Sequence, residues 1–132
     1  MTGRKTGGQN DRIRVGSQGE DLAAEFLRRA GYHLRERNWR CTLGEVDLIA
    51  TQGEYLVFVE VKTRVAGTPY HPTLNITAPK KARLRQLGQQ YLADHPEAVA
   101  LQPRFDVMAV ELEGHHPEGE VEGRVEHFIN AF

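Results

Sequence analysis

Cysteine is nearly missing from this chain. Cys41 stands alone among 132 residues, which excludes an internal disulfide framework and suits a reducing compartment. Long apolar runs are missing too: nothing approaches the roughly 18 consecutive apolar residues of a membrane-spanning helix, so no membrane partner is expected. Residues 1–10 are polar and glycine-rich without an apolar centre, which is not a secretory signal, and a cytoplasmic protein is the expectation. Residues 1–14 read as a disordered polar tail, and 15–132 as one domain large enough for a single core. No internal repeat or low-complexity block is present. Of the six histidines, none has zinc-ligand spacing, and His33, His71, His95, His115, His116 and His127 are all expected at the surface. Finally, the C-terminal third has little positive charge. Residues 86–132 hold 2 Lys and Arg against 9 Asp and Glu, whereas residues 1–85 hold 15 against 9. The formal net charge of −1 therefore hides a first part at +6 and a second at −7. The basic part suits a polyanionic partner, although a solvated mixed-charge surface would have the same counts.

What stands out instead is a β-branched and aromatic run with charge set inside it. Tyr55-Leu56-Val57-Phe58-Val59-Glu60-Val61-Lys62-Thr63 has the composition of a buried strand, yet carries Glu60 and Lys62. Strands have period two, so these two charges share a face while Val57, Val59 and Val61 share the other. Charge in such a place needs compensation, either from an ion pair on a solvated sheet face or from a site where a carboxylate meets a metal. The preceding run, Gly44-Glu45-Val46-Asp47-Leu48-Ile49-Ala50-Thr51, is a second short strand, and Thr51-Gln52-Gly53-Glu54 is a turn of hairpin length. Pairing Thr51 with Glu54 sets Asp47 opposite Phe58 and Glu45 opposite Glu60. Asp47, Glu60 and Lys62 then crowd one side of the hairpin, with Phe58 and Leu56 continuing that side into core. A three-residue loop would reverse the parity, burying Asp47 among valines and exposing Phe58. Acids facing each other across a sheet are destabilising unless a cation lies between them. A hard divalent ion, Mg²⁺ or Mn²⁺, fits oxygen ligands of this kind.

Asp47 followed by Glu60-Val61-Lys62 on the next strand resembles the Asp…Glu-x-Lys core of restriction-endonuclease-like nucleases. The wider set is more specific. Gly16-x-x-Gly19-Glu20, Gly31-Tyr32, Asn38, the run from Gly44 to Ala50, and Phe58-Val59-Glu60-Val61-Lys62-Thr63-Arg64 together resemble the YraN family of bacterial proteins. Lys80, Tyr91-Leu92 and Arg104-Phe105-Asp106-Val107 extend the match. The resemblance implies an α/β, restriction-endonuclease-like fold, similar to Holliday junction resolvases, with a central mixed β-sheet flanked by helices. It implies Asp47 and Glu60 as metal ligands, Lys62 positioning or polarising the attacking water, and Glu20 as the helix glutamate completing the catalytic set. It is also compatible with a homodimer. The proline that often precedes the first aspartate of such sites is replaced by Val46, and no role is implied for Glu45.

Each residue has a plainer reading. A lone Glu-x-Lys is common in any protein. Ser17-Gln18-Gly19-Glu20 is also a capping-box sequence, in which Glu20 would only return a hydrogen bond to the Ser17 backbone. The elements expected around the hairpin are a helix over 17–30 burying Leu22, Ala23, Phe26, Leu27 and Ala30 and ended by Gly31, then a strand over 32–40. A loop over 65–77 reads as a substrate-facing flap. A helix over 79–94 places Leu84, Leu87, Gly88, Tyr91 and Leu92 inward and Lys81 and Arg85 on another side. A strand over 105–112, an acidic turn over 114–123 and a last strand over 125–129 complete the chain. Arg64, Lys80, Lys81 and Arg85 are the expected nucleic-acid contacts.

Three classes of function compete. The first is a Mg²⁺- or Mn²⁺-dependent nuclease hydrolysing phosphodiesters, with DNA, including branched DNA, the expected substrate. The second is a non-catalytic nucleic-acid-binding module with the same fold, and the third is a partner-binding protein whose hairpin charges form an ion-pair network.

Overall fold

The computed structural model describes residues 4–67, 76–113 and 122–132, with side chains from Ile13 onward. Helix α1 (Arg4–Arg29) leads into a meander of β1 (His33–Cys41), β2 (Gly44–Gln52) and β3 (Tyr55–Val65). Helix α2 (Ala78–Asp94) and a single 3₁₀ turn (Pro96–Ala98) then cross over to β4 (Gln102–Leu112), and β5 (Gly123–Phe128) follows. The strands lie in the order β1-β2-β3-β4-β5. Neighbours are antiparallel except β3 and β4, which run parallel as a helical crossover demands. This is the α/β architecture expected from the sequence, a central mixed sheet flanked by helices. The expected flap over 65–77 and acidic turn over 114–123, with His71, His115 and His116, fall largely on residues 68–75 and 114–121, outside those described. Among the described residues no helix is long and apolar enough to cross a membrane.

Alternation along the strands explains why the sheet has two buried faces. Val57, Val59, Leu48 and Ala50 pack with Ala23, Ala24 and Leu27 of α1. Leu56, Phe58 and Ile49 pack with Leu84, Leu87 and Tyr91 of α2. A strand covered on both sides must be apolar at successive positions, which is why Leu56–Val59 is an uninterrupted apolar run. The inward face of α2 is the expected one. On α1 the buried stripe is Ala23, Ala24 and Leu27, whereas Phe26 and Ala30 are exposed. Alanines at the contact let the helix lie close to the sheet, and Gly19 shows how close: a Cβ there would fall inside the Thr63 side chain.

Two local expectations are corrected. Helix α1 begins at Arg4, not Ser17, so helix covers residues 4–14 of the segment read as a disordered tail. Lys, Arg and Gln are good helix formers, and the half-buried Val15 packs on the α1-side core, so the helix continues backwards from that contact. Ser17 therefore lies in mid-helix and the capping-box reading of Glu20 falls. His127 is not a surface histidine: its side chain is 7% exposed and is held against the buried Asp106.

Candidate functional site

The β2–β3 hairpin turns at Gly53-Glu54, with Gln52 opposite Tyr55, one step later than expected. The reason is local. A two-residue hairpin turn of the favoured hand needs φ > 0 at its first central residue, and Gly53 (φ 56°) supplies it where Gln52 would be strained. Every pairing shifts by two residues, so the parity survives but the partners change. Phe58 lies opposite Ile49 instead of Asp47, and Leu48 opposite Val59 closes the ladder. Continuing that register brings Asp47 beside Glu60, so Glu45 no longer faces Glu60. Glu45 instead pairs with Arg40 of β1, at 2.6 Å.

Beyond Leu48 and Val59 the two strands are no longer paired, and the Asp47 side chain takes the place of the missing backbone partner. Its Oδ2 accepts the Val61 N–H at 2.8 Å. This fixes the carboxylate at the point where β2 and β3 separate. Burial pushes the Asp47 carboxyl from an ordinary 3.8 to about 7, and the negative charge of Glu60, with smaller contributions from Glu20 and Glu45, pushes the same way. The Val61 N–H opposes them and loses.

The other candidates reach this point from both layers. Glu60 lies on the α2 side of β3, where its Oε2 accepts a charged hydrogen bond from Lys80 Nζ at 2.5 Å. Lys80 stands in the first turn of α2, which is capped by Thr77 and carries a proline in that turn. Glu20 comes from α1. Its Oε1 accepts from Asn38 Nδ2 at 3.1 Å and lies 3.8 Å from Arg37, which is itself paired with Asp21. Asn38 sits opposite Asp47, between the pairs Arg37–Leu48 and Trp39–Val46, and has φ 51°. Asparagine tolerates that conformation better than most residues. Lys62 is half-buried and has no side-chain hydrogen bond or ion pair among the described residues.

Among the described residues, no three carboxylate, histidine or cysteine side chains converge closely enough to enclose a metal ion. Glu60 is instead bound to Lys80, and Glu20 to Asn38 with Arg37 nearby. Of the expected nucleic-acid contacts, Lys80 reaches the acidic cluster. Arg64 is bound to Glu111, which also holds Arg124 at 2.7 Å. Lys81 is half-buried, and the exposed Arg85 lies over the Phe132 ring at 5.9 Å.

The sequence pattern of the uncharacterised protein family UPF0102 matches residues 19–110, a span holding Glu20, Asp47, Glu60, Lys62 and Lys80. The chain belongs to this family. A UPF0102 protein of Rhodococcus jostii is 45% identical over 91% of this chain and 97% of its own length. One from Frankia casuarinae is 44% identical over 89% and 95%, and one from Beutenbergia cavernae is 49% identical over 73% and 80%. Family membership, expected from the motifs, is thus shown.

A second polar cluster of this UPF0102 member gave no functional signal in the sequence. Asp106, fully buried in β4, accepts two hydrogen bonds from Arg104 at 3.0 and 2.8 Å, one from Asn130 N at 2.9 Å, and lies 2.7 Å from His127 Nε2. Arg104 also donates to Tyr32 Oη at 2.7 Å and stacks over the Tyr32 and Tyr55 rings. Burial pushes Asp106 up, but the bonds from His127, Arg104 and Asn130 outweigh it and hold the carboxyl below its usual range. The cluster ties the chain's last residues to the sheet. Arg104-x-Asp106 alternation in a strand was the available clue, since both charges had to share one face.

Proposed function

We propose that this protein is a divalent-metal-dependent nuclease that hydrolyses phosphodiester bonds in nucleic acid, with DNA as its polymer. One observation carries the reading: Asp47 is held at the separation of β2 and β3, beside Glu60, in a position that raises its pKa to about 7. Two acids built to repel one another are a cost to the fold that a bound cation would remove. The donors are hard carboxylate oxygens without histidine or cysteine, which fits Mg²⁺ or Mn²⁺, and one or two protein carboxylates suffice for Mg²⁺ when water and phosphate fill the remaining positions. Asp47 and Glu60 are the proposed ligands, with Glu20 joining them by leaving Asn38. When bound, the metal would supply Lewis acidity toward a phosphodiester. Lys62, unpaired among the described residues and two residues from Glu60 on the same face, would stabilise charge developing on the phosphate or orient the attacking water. Lys80 and Lys81 would hold neighbouring phosphates.

The pairing of Glu60 with Lys80 favours a second reading, a nucleic-acid-binding module without catalysis. Calorimetric Mn²⁺ titration of wild type, Asp47→Asn and Glu60→Gln, followed by cleavage assays on labelled duplex, flapped, branched and single-stranded substrates, tests both. Metal uptake abolished by either substitution, with metal-dependent cleavage, is the expected result. Uptake without cleavage of any substrate would leave the binding module. Equal uptake by all three proteins would refute the metal site.

A further inference from the structure

We infer that Lys80 is an internal counter-ion of the acidic cluster, held by Glu60 while no divalent cation is present and transferred to a nucleic-acid phosphate when one binds. The inference rests on the metal-dependent reading above and goes beyond it by coupling metal binding to nucleic-acid affinity. The 2.5 Å bond between Lys80 Nζ and Glu60 Oε2 is its starting point. The two partners are not equally free: the Glu60 side chain is 11% exposed, that of Lys80 is 47% exposed. Glu60 is confined to the sheet surface, whereas the lysine can swing its ammonium into water without uncovering core. Its backbone stays fixed as it does so, because the Lys80 N–H is bound to the Thr77 cap at 3.3 Å.

Charge counting supports the exchange. Without metal, of the two proposed ligands Asp47 and Glu60, only Glu60 is paired, with Lys80, while Glu20 is held separately by Arg37 and the Asn38 amide. A divalent ion on the two acids makes Lys62 and Lys80 surplus and gives the cluster an excess of two positive charges. That excess matches successive phosphates of a nucleic-acid backbone. Lys80 also stands at the positive end of the α2 dipole, in a first turn that contains no acid. Once Glu60 is taken by a metal, the helix itself favours an anion for Lys80. The coupling must be reciprocal, so nucleic acid should tighten metal binding by the same factor that metal tightens nucleic acid.

Lys80→Met keeps most of the side-chain length and removes the charge. Arg83→Met removes the same charge one turn along the helix, from an exposed side chain not bound to Glu60. If Lys80 holds Glu60 for about 70–90% of the time, its removal should tighten Mn²⁺ binding about 3- to 10-fold, because the competent fraction rises to one. Mn²⁺ affinity, read by calorimetry, should therefore increase in Lys80→Met and stay within about 2-fold of wild type in Arg83→Met. A nuclease-resistant phosphorothioate DNA duplex, followed by fluorescence polarisation, gives the second readout. Lys80→Met should lose most of the Mn²⁺-dependent gain in affinity, and its salt slope with Mn²⁺ should fall by about 0.9, one phosphate contact. In EDTA the mutant and wild type should bind alike. Unchanged or weaker Mn²⁺ affinity in Lys80→Met would overturn the inference and leave a static ion pair, with the metal site itself intact. An equal loss of DNA affinity with and without Mn²⁺ would overturn it too. If neither wild type nor Lys80→Met takes up Mn²⁺, the metal-dependent reading fails, and this inference with it.

Discussion

Asp47→Asn should make the metal-free protein more stable at pH 8 and leave it nearly unchanged at pH 4. In the unfolded chain this carboxyl loses its proton near 3.8, but in the fold it keeps it up to about 7. Between those values the native state binds more protons than the unfolded state, so unfolding free energy falls as pH rises, by up to about 1.4 kcal/mol per pH unit. The stability associated with protonated Asp47 is whole below about pH 4 and lost once pH passes 7. The interval from 3.8 to about 7 sets a ceiling of about 4 kcal/mol. The realised difference should be roughly 2–4 kcal/mol, because local rearrangement and water entry around the ionised Asp47 relieve part of the burial penalty. Asparagine keeps an oxygen for the Val61 N–H and brings no charge, so it removes the penalty and retains the bond. Urea unfolding in EDTA at several pH values between 4 and 8 measures this directly. The mutant should gain relative to wild type as pH rises, by roughly 3–4 °C of melting temperature per kcal/mol for a domain of this size. Mg²⁺ should then reverse the order at pH 8, stabilising wild type and not the mutant. A mutant-minus-wild-type difference that is flat across this range would refute the claim that burial and Glu60 act on Asp47.

Gly19→Ala gains helix propensity of about 1 kcal/mol but drives a methyl into Thr63, and overpacking of this kind costs about 1–3 kcal/mol. The single mutant should melt lower, and Gly19→Ala with Thr63→Ala should recover part of the loss, since the Cβ at position 63 stays 2.8 Å from the new methyl; equal melting of single mutant and wild type would show that α1 can slide. Asp106→Ala leaves the buried Arg104 without its carboxylate and should cost about 3–5 kcal/mol by denaturant unfolding. The stability contributed by Asp106 in wild type is present above about pH 4 and lost as pH falls further, the opposite sense to Asp47. Lys62→Ala should leave Mn²⁺ affinity and melting temperature nearly intact while lowering metal-dependent cleavage about 10²-fold or more on any substrate the wild type cuts. A large loss of stability would instead make Lys62 a structural cation.

Whatever depends on neighbours along the chain was legible in the residues alone. Period-two alternation put Glu60 and Lys62 on one face and the valines on the other, and the apolar run 56–59 required a strand covered on both sides. The spacing of Leu84, Leu87, Gly88 and Tyr91 set the buried face of α2. Parity also survived the displaced hairpin turn, since a shift of two residues returns each side chain to the same face. Where partners lie far apart along the chain, the packing of the elements chose them. Residue patterns placed Asp47 across from Phe58, and the positive φ available at Gly53 moved it beside Glu60. Lys80 meets Glu60 across twenty residues only because the crossover brings the start of α2 over β3. Glu20 meets Asn38 because small residues let α1 lie close to the sheet. Asp106 collects Arg104, His127 and Asn130 because β5 returns antiparallel beside β4. A charged side chain takes the nearest opposite charge in space, and a one-dimensional pattern holds that information only where the helix or strand repeat makes neighbours in sequence neighbours in space.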